Sequence, residues 1–283
     1  MRLTARSSGL AARATRAAIF ARIGDKAMIE REYDFLLANA RAGKALGLPD
    51  FIHLDQPIGI RSYIRIADDI ARHVSPCDLL DWGCGWGQMT YLLRRRGFRV
   101  TPFDIGEPGA VTLPDIPLSR ELDVVFATHP TKLPFCDGSF DAVLSCGVLE
   151  HVDEFSQPGN ERLSLREIAR VLRPGGSLLI YQLPQRYAWQ EAVSRRLRLG
   201  YAHPRRFTAT EITTLLKQAG FSIETVRRAN LIPRNLTGMP DGLRAIYSRF
   251  SKALIALDGH LCKAPGLDHL AGALEIRARR GIG

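Results

Sequence analysis

The stretch Leu79-Leu80-Asp81-Trp82-Gly83-Cys84-Gly85-Trp86-Gly87-Gln88 constrains this chain more than any other. Two leucines run up to an acid, a G-x-G-x-G turn follows, and a helical pattern begins after it. The order predicts a strand, a tight loop and a helix N-terminus. Gly83 and Gly85 have no Cβ, so the backbone can take positive φ and a ligand can lie against it. Gly87 opens a helix whose first amide N–H groups have no partner within the helix, and such donors suit a carboxylate or another anion. The spacing is not the G-x-G-x-x-G of a dinucleotide fold. The third glycine comes one residue early and Gln88 stands where that pattern wants glycine. An ordinary strand–helix turn would also read this way, so the rest of the chain has to decide.

The 283 residues suffice for one large α/β domain with additions, and a 46% hydrophobic content can supply its core. Five cysteines form no C-x-x-C pair, so neither a disulfide framework nor a zinc site is expected, and a reducing compartment fits. No apolar run reaches the roughly 20 residues of a membrane span, and the N-terminus lacks the apolar core of a secretory signal. The net charge of +10 is unevenly placed. Residues 1–75 carry 12 basic and 8 acidic side chains, 76–184 carry 10 and 14, and 185–283 carry 17 and 7. The glycine-turn segment is thus mildly acidic between basic flanks. Such flanks attract an anionic substrate, a nucleic acid or an acidic membrane, or are simply solvated faces.

Residues 1–24 hold five arginines and no acid, which reads as a partly ordered tail, an amphipathic membrane-surface helix or a transit peptide. Helices are expected over 26–47 and 57–74. Strand and helix then alternate, the pattern of a parallel sheet. Strands are expected at 77–82, 98–103, 123–128, 140–146, 177–183 and 221–226, with Pro102 at the end of its strand because it cannot donate to a ladder. Helices are expected at 88–96, at 161–172 and from the capping box Thr208-x-x-Glu211 to Gly220. Leu243, Ile246, Tyr247, Phe250, Leu254, Leu257 and Leu261 predict one amphipathic helix over 241–261, packed on the core. A last strand is expected at 274–278.

Several motifs, in order over roughly residues 76–228, resemble class I S-adenosylmethionine (SAM) dependent methyltransferases of the type 11 kind. Asp81-x-Gly83-Cys84-Gly85-x-Gly87 is similar to their first motif. Asp104, 17 residues after Gly87, is placed like the acid that reads the SAM ribose. Leu133-Pro134-Phe135-x-Asp137-Gly138-Ser139-Phe140-Asp141, Cys146-Gly147-Val148-Leu149-Glu150-His151 and Arg173-Pro174-Gly175-Gly176 resemble later family stretches. The resemblance implies a Rossmann-like seven-stranded mixed sheet, its last strand antiparallel, sandwiched by helices. It implies SAM as cofactor, held by Asp81, Gly83, Cys84, Gly85, Gly87, Gln88, Asp104 and Ile105. The family commonly bonds the adenine amino group with an acid; here His129 takes that place. Carbonyls near Ser145 and Cys146 would receive the methionine ammonium.

The expected division is a basic tail and helical cap (1–75), a methyltransferase core (76–228 with 269–281) and a helical lid (229–268). The SAM sulfonium is already a strong methyl donor, so the protein mainly aligns nucleophile, methyl and sulfur. A hydroxyl acceptor also needs a base, and His151 is the candidate, near the methyl pocket with a pKa in range. Tyr181, Tyr187 and His203 are expected to line the acceptor pocket. Cys84 and Cys146 are expected to pack rather than attack, and no metal is expected. The expected acceptor is a small molecule or a lipid- or glycan-linked group methylated at oxygen. A non-catalytic SAM-binding partner protein is the second reading and an RNA methyltransferase the third, nucleic acid being suggested by charge alone. The expected location is cytoplasmic, with peripheral association to an anionic inner membrane face as the sharper option.

Overall fold

The computed structural model describes residues 26–282 apart from 49–53, 55, 108, 110, 112, 155–157, 199–201, 235, 237 and 238, together with the backbone alone of Asp241. The basic stretch 1–24, read above as tail, membrane helix or transit peptide, lies outside the described residues.

Seven strands form one sheet: β1 (Asp78–Trp82), β2 (Arg99–Ile105), β3 (Val125–Ala127), β4 (Phe140–Cys146), β5 (Leu172–Pro184), β6 (Phe221–Ala229) and β7 (Ala273–Arg280). The order is β3-β2-β1-β4-β5-β7-β6. The pairings from β3 through β5 are parallel, whereas β7 runs antiparallel to both β5 and β6. Side chains alternate across the pleat, so Leu79, Leu144 and Leu179 go to one face and Leu80, Val143 and Leu178 to the other. The first face is covered by α1 (26–45), α2 (Pro57–His73) and α3 (Gln88–Arg94). The second is covered by α4 (Asn160–Val171) and α6 (Ala209–Gln218), through Leu165, Ile168, Ile212 and Leu216. Each such fully buried aliphatic side chain contributes roughly 2 kcal/mol over leaving it in water. The capping box at α6 forms as the sequence predicts. Thr208 Oγ1 accepts from Glu211 N at 3.1 Å, and Glu211 Oε2 accepts from Thr208 N at 2.8 Å.

Three local expectations are corrected. Pro102 sits within β2, opposite Asp81 of β1, rather than at the strand end. Its missing donor lies on the β3 side, and β3 begins only opposite Phe103, so no ladder bond is lost. The fifth strand starts at Leu172, directly after α4. Leu172 pairs with Phe140 and Ser177 with Ala142, so Arg173–Gly176 bulge between two paired segments. The helix expected over 241–261 is two: α7 (Asp241–Arg249) and α8 (Ser251–Leu261), broken at Phe250 (φ −98, ψ 10). The halves hold different anchors. Ser248 of α7 donates to Gln56, and Tyr247 Oη donates to the Pro233 carbonyl at 2.5 Å. In α8, Lys252 pairs with Glu30 at 2.7 Å, and Asp258 accepts the amides of Asn230 and Ile232. The pair does not pack its apolar row into the core, since Leu243, Ile246, Phe250 and Leu257 are exposed. A further helix, α5 (Trp189–Leu197), follows β5.

Candidate functional site

The strand order reverses between β1 and β4, and in open α/β sheets the crevice at the carboxyl ends of such strands takes the ligand. The glycine turn leaves β1 there. Gly83 N and Cys84 N both donate to the Phe103 carbonyl at 2.9 Å, and Gly87 N donates to Cys84 O at 2.9 Å. Gly83, Gly85 and Gly87 have φ of +75, +52 and +85, a region that side chains with a Cβ rarely adopt. A Cβ on Gly85 would meet nothing within 4 Å, so this side of the turn is open. One on Gly83 would come within 2.5 Å of Val148 Cγ2, which puts the segment after β4 directly against the turn.

Asp104 closes the other side. Its Oδ2 accepts from Gly85 N at 2.7 Å and its Oδ1 from Ile105 N at 2.7 Å. Burial raises its pKa and the two amides hold it back. Asp81 is buried behind the turn, where Oδ2 accepts from Thr90 Oγ1 at 2.6 Å. Burial pushes its carboxyl up to about 6, with Asp104 adding to the rise. Asp81 therefore holds the turn from behind rather than facing the crevice with its oxygens. Gln88 lies against the buried Tyr63 hydroxyl, which also meets Gln182. Burial pushes the thiols of Cys84 and Cys146 far up, so both are packing groups, not thiolates. His129 sits just beyond β3 and closes a local turn, its Nδ1 2.7 Å from Thr131 Oγ1.

Three residues past β4 begins the 3₁₀ turn Leu149–Glu154, which carries the expected base. His151 Nδ1 lies 3.0 Å from Glu154 Oε1, and its Nε2 lies 4.0 Å from Glu150 Oε1. Its ring centroid is 5.6 Å from that of His203. His203 comes from the loop between α5 and α6, its Nδ1 2.6 Å from Glu191 Oε1 and its amide donating to Glu191 Oε2 at 3.1 Å. Glu150 is only 2% exposed, and its Oε2 is buried without a hydrogen-bond partner. Burial pushes its carboxyl up to about 7, partly offset by His151. Sequence reading singled out His151 and His203 separately and missed Glu150 and Glu191. Glu150 stood within a quoted motif, but nothing in a sequence says that a glutamate will be buried.

Of the two tyrosines expected at the acceptor pocket, Tyr181 is buried on the opposite face and Tyr187 stands at the surface. Tyr181 shares its face of β5 with Leu179, so it points under α2 and away from the histidines. Its hydroxyl donates to Asp69 Oδ2 at 2.7 Å. Burial opposes the charge on Asp69, yet hydrogen bonds from Arg227 and Tyr181 outweigh it and lower the pKa. Arg65 pairs with Glu275 alongside. Tyr187 is 61% exposed. Beside this network a cavity of about 390 Å³ opens between α2, β6 and α8, lined by Arg65, Arg227, Arg234 and Lys263 among others. No glycine-turn residue lines it. Arg234 links the two regions, since its charge acts on both Cys146 and Glu150.

An open glycine turn, an acid near the end of the next strand and a β7 inserted antiparallel between β5 and β6 give the α/β fold of the methyltransferase type. Residues 80–180 match the family described as methyltransferase domain. It is 36% identical over 107 residues to a ubiquinone biosynthesis O-methyltransferase of Caulobacter vibrioides, covering 37% of this chain and 40% of that protein. It is 27% identical over 205 residues to the O-methyltransferase resE of Aspergillus sclerotiorum, covering 70% of this chain and 69% of that protein. A SAM-dependent methyltransferase structure from Thermotoga maritima, 17% identical, superposes with a TM-score of 0.53 over 85% of this chain and 97% of that one, which shows the fold. The chain spans less than half the length of the ubiquinone relative. The residues present fit SAM. The crevice offers an open glycine backbone and, in Asp104 at its mouth, a carboxylate that suits a ligand with hydroxyl and cationic groups.

Proposed function

We propose that this chain transfers a methyl group from SAM to an oxygen of a small-molecule acceptor. The observation that carries the reading is the contact of two unlike sites. The open turn with Asp104 lies against the segment bearing Glu150 and His151 through Gly83 and Val148. SAM supplies an electrophilic methyl on a sulfonium sulfur. Asp104 and Ile105 hold the ribose, Gly83 to Gly87 let the backbone approach, Gln88 and the Cys146 carbonyl border the methionine end, and His129 meets the adenine. The Glu150–His151–His203 cluster receives the acceptor and takes charge of its proton, which only a nucleophile with a proton to lose requires. The O-methyltransferase names of two relatives support oxygen as the target. The test is calorimetry with SAM followed by measurement of S-adenosylhomocysteine release against fractionated acceptors. A folded protein that ignores SAM defeats the reading. One that binds SAM and releases no product against any acceptor points to a non-catalytic partner protein instead. His151→Ala should lower turnover at least ~100-fold with little change in SAM affinity.

A lipid-linked acceptor at an anionic membrane is the second reading. It is favoured by one observation: Leu243, Ile246 and Phe250 on α7 and its end are 48%, 60% and 57% exposed. The proposed division into cap (1–75), core (76–228 with 269–281) and lid (229–268) is supported by α7 and α8, which lie between β6 and β7 with α8 beside the Arg-lined cavity.

A further inference from the structure

The histidines and the buried glutamate after β4 have the make-up of a metal-ligand set. Glu150, His151 and His203 each present one ligand atom, and these three atoms lie within 4.8 Å of one another. Two imidazoles and one carboxylate suit a divalent ion of the first transition row or zinc, rather than magnesium or calcium, which take oxygen ligands. The residues behind the histidines fit the same reading. Glu154 accepts from His151 Nδ1 at 3.0 Å and Glu191 from His203 Nδ1 at 2.6 Å. A carboxylate on Nδ1 fixes the tautomer that puts the lone pair on Nε2, and ligand histidines are commonly held this way. Glu150 supplies the independent sign: 2% exposed, it keeps Oε2 buried without a hydrogen-bond partner, which a carboxylate does at high cost unless something binds it.

We propose that Glu150, His151 and His203 bind one divalent transition-metal or zinc ion, with Glu154 and Glu191 as positioning residues. Ligand atoms at about 2.1 Å from a tetrahedral ion stand about 3.4 Å apart, so the three close by an ångström or so on binding, a movement that side-chain torsions supply. Three protein ligands leave positions open on the ion. The inference rests on the methyl-transfer reading for what fills them: a hydroxyl-bearing acceptor whose oxygen coordinates the ion. Coordination lowers the hydroxyl pKa and its proton leaves to solvent. The oxygen then forms the new O–CH3 bond as the S–CH3 bond breaks, and the sulfur keeps the electron pair as a neutral thioether. In that case His151 acts as a ligand and not as the proton acceptor.

The test uses full-length, tag-free protein stripped with a chelator, titrated with Zn²⁺ alone against a chromophoric competitor and with Co²⁺ alone by visible absorption. One equivalent should bind, with ligand-field bands and no sulfur-to-metal charge-transfer band. Glu150→Gln and His203→Ala should each weaken binding by ~100-fold or more, and Glu191→Gln by ~10-fold. SAM calorimetry on every variant reports that the fold is kept. A wild-type protein that binds SAM and no metal overturns the metal site and leaves the methyl-transfer reading standing, with His151 as base. Variants that bind Zn²⁺ as the wild type does also overturn it. A protein that binds the metal and ignores SAM defeats the methyl-transfer reading while the metal site holds.

Discussion

Asp104 and Asp81 show how one residue type takes two jobs one strand apart. Asp104 keeps both oxygens on backbone amides at the mouth of the crevice, whereas Asp81 is turned inward to Thr90. Asp104→Asn should therefore weaken SAM binding by ~10-fold or more in calorimetry while leaving the thermal midpoint within a few degrees. The position of Asp104 near the end of the second strand was legible because it is set by chain order. The inward turn of Asp81 was not, because it depends on Thr90 arriving from α3. Glu150 makes a pH prediction. Its folded-state pKa of about 7 lies above the ordinary value of 4.5, so the native state holds a proton that the unfolded chain releases. Stability from this group therefore falls as pH rises from about 4.5 to 7 and stays at its lower level above that. In chelator, Glu150→Gln should gain on the wild type across that window, by about 3 kcal/mol at most, and then level off. Denaturant melts of both proteins at pH 5, 6, 7 and 8 check it; a gain that does not change with pH contradicts the burial argument.

The helix α6 carries a signal that sequence and structure share. The Thr208–Glu211 box satisfies two backbone donors reciprocally, so Thr208→Ala should cost about 1 kcal/mol, read as a lower urea midpoint with unchanged slope. Capping is local, and so it is legible. The elements that were misread are those decided by partners distant in the chain. Nothing between Ser248 and Lys252 breaks a helix. The break at Phe250 follows from α7 being tied to Gln56 and Pro233 while α8 is tied to Glu30, Asn230 and Ile232. The early start of β5 has the same character. Pro174-Gly175-Gly176 reads as a stop, yet Leu172 finds Phe140 of β4 across the sheet and the glycines become a bulge. Tyr181 was sent to the wrong side because the register of β5 against β4, which sets its face, is not written in β5 itself.

The sheet as a unit was legible because strand–helix alternation and one distinctive turn leave few topologies, and the right-handed crossover rule prunes the rest. Charge placement was legible too, but not what the charges meet. Part of the basic C-terminal third is paired within the chain: Arg227 with Asp69, Arg228 with Asp268, Arg279 with Glu224 and Lys252 with Glu30. This weakens any argument from net charge to nucleic acid and moves the weight of surface binding onto apolar groups. Leu243, Ile246 and Phe250 fall three to four residues apart, hence on one side of α7, and Arg249 stands exposed beside them. Tyr247, of the same apolar row, is turned in to Pro233. No described helix is long and apolar enough to cross a bilayer, so the geometry suits a face laid on a membrane and not through it. Such a face should sediment with liposomes rich in anionic lipid, bind more weakly as salt rises, and keep a salt-resistant remainder from its apolar part. The triple variant L243S/I246S/F250S should lose that remainder with a thermal midpoint within a few degrees of the wild type, since all three side chains are about half exposed already. No sedimentation of the wild type at low salt, or equal sedimentation of the variant, removes the membrane from the account and leaves a freely diffusing acceptor.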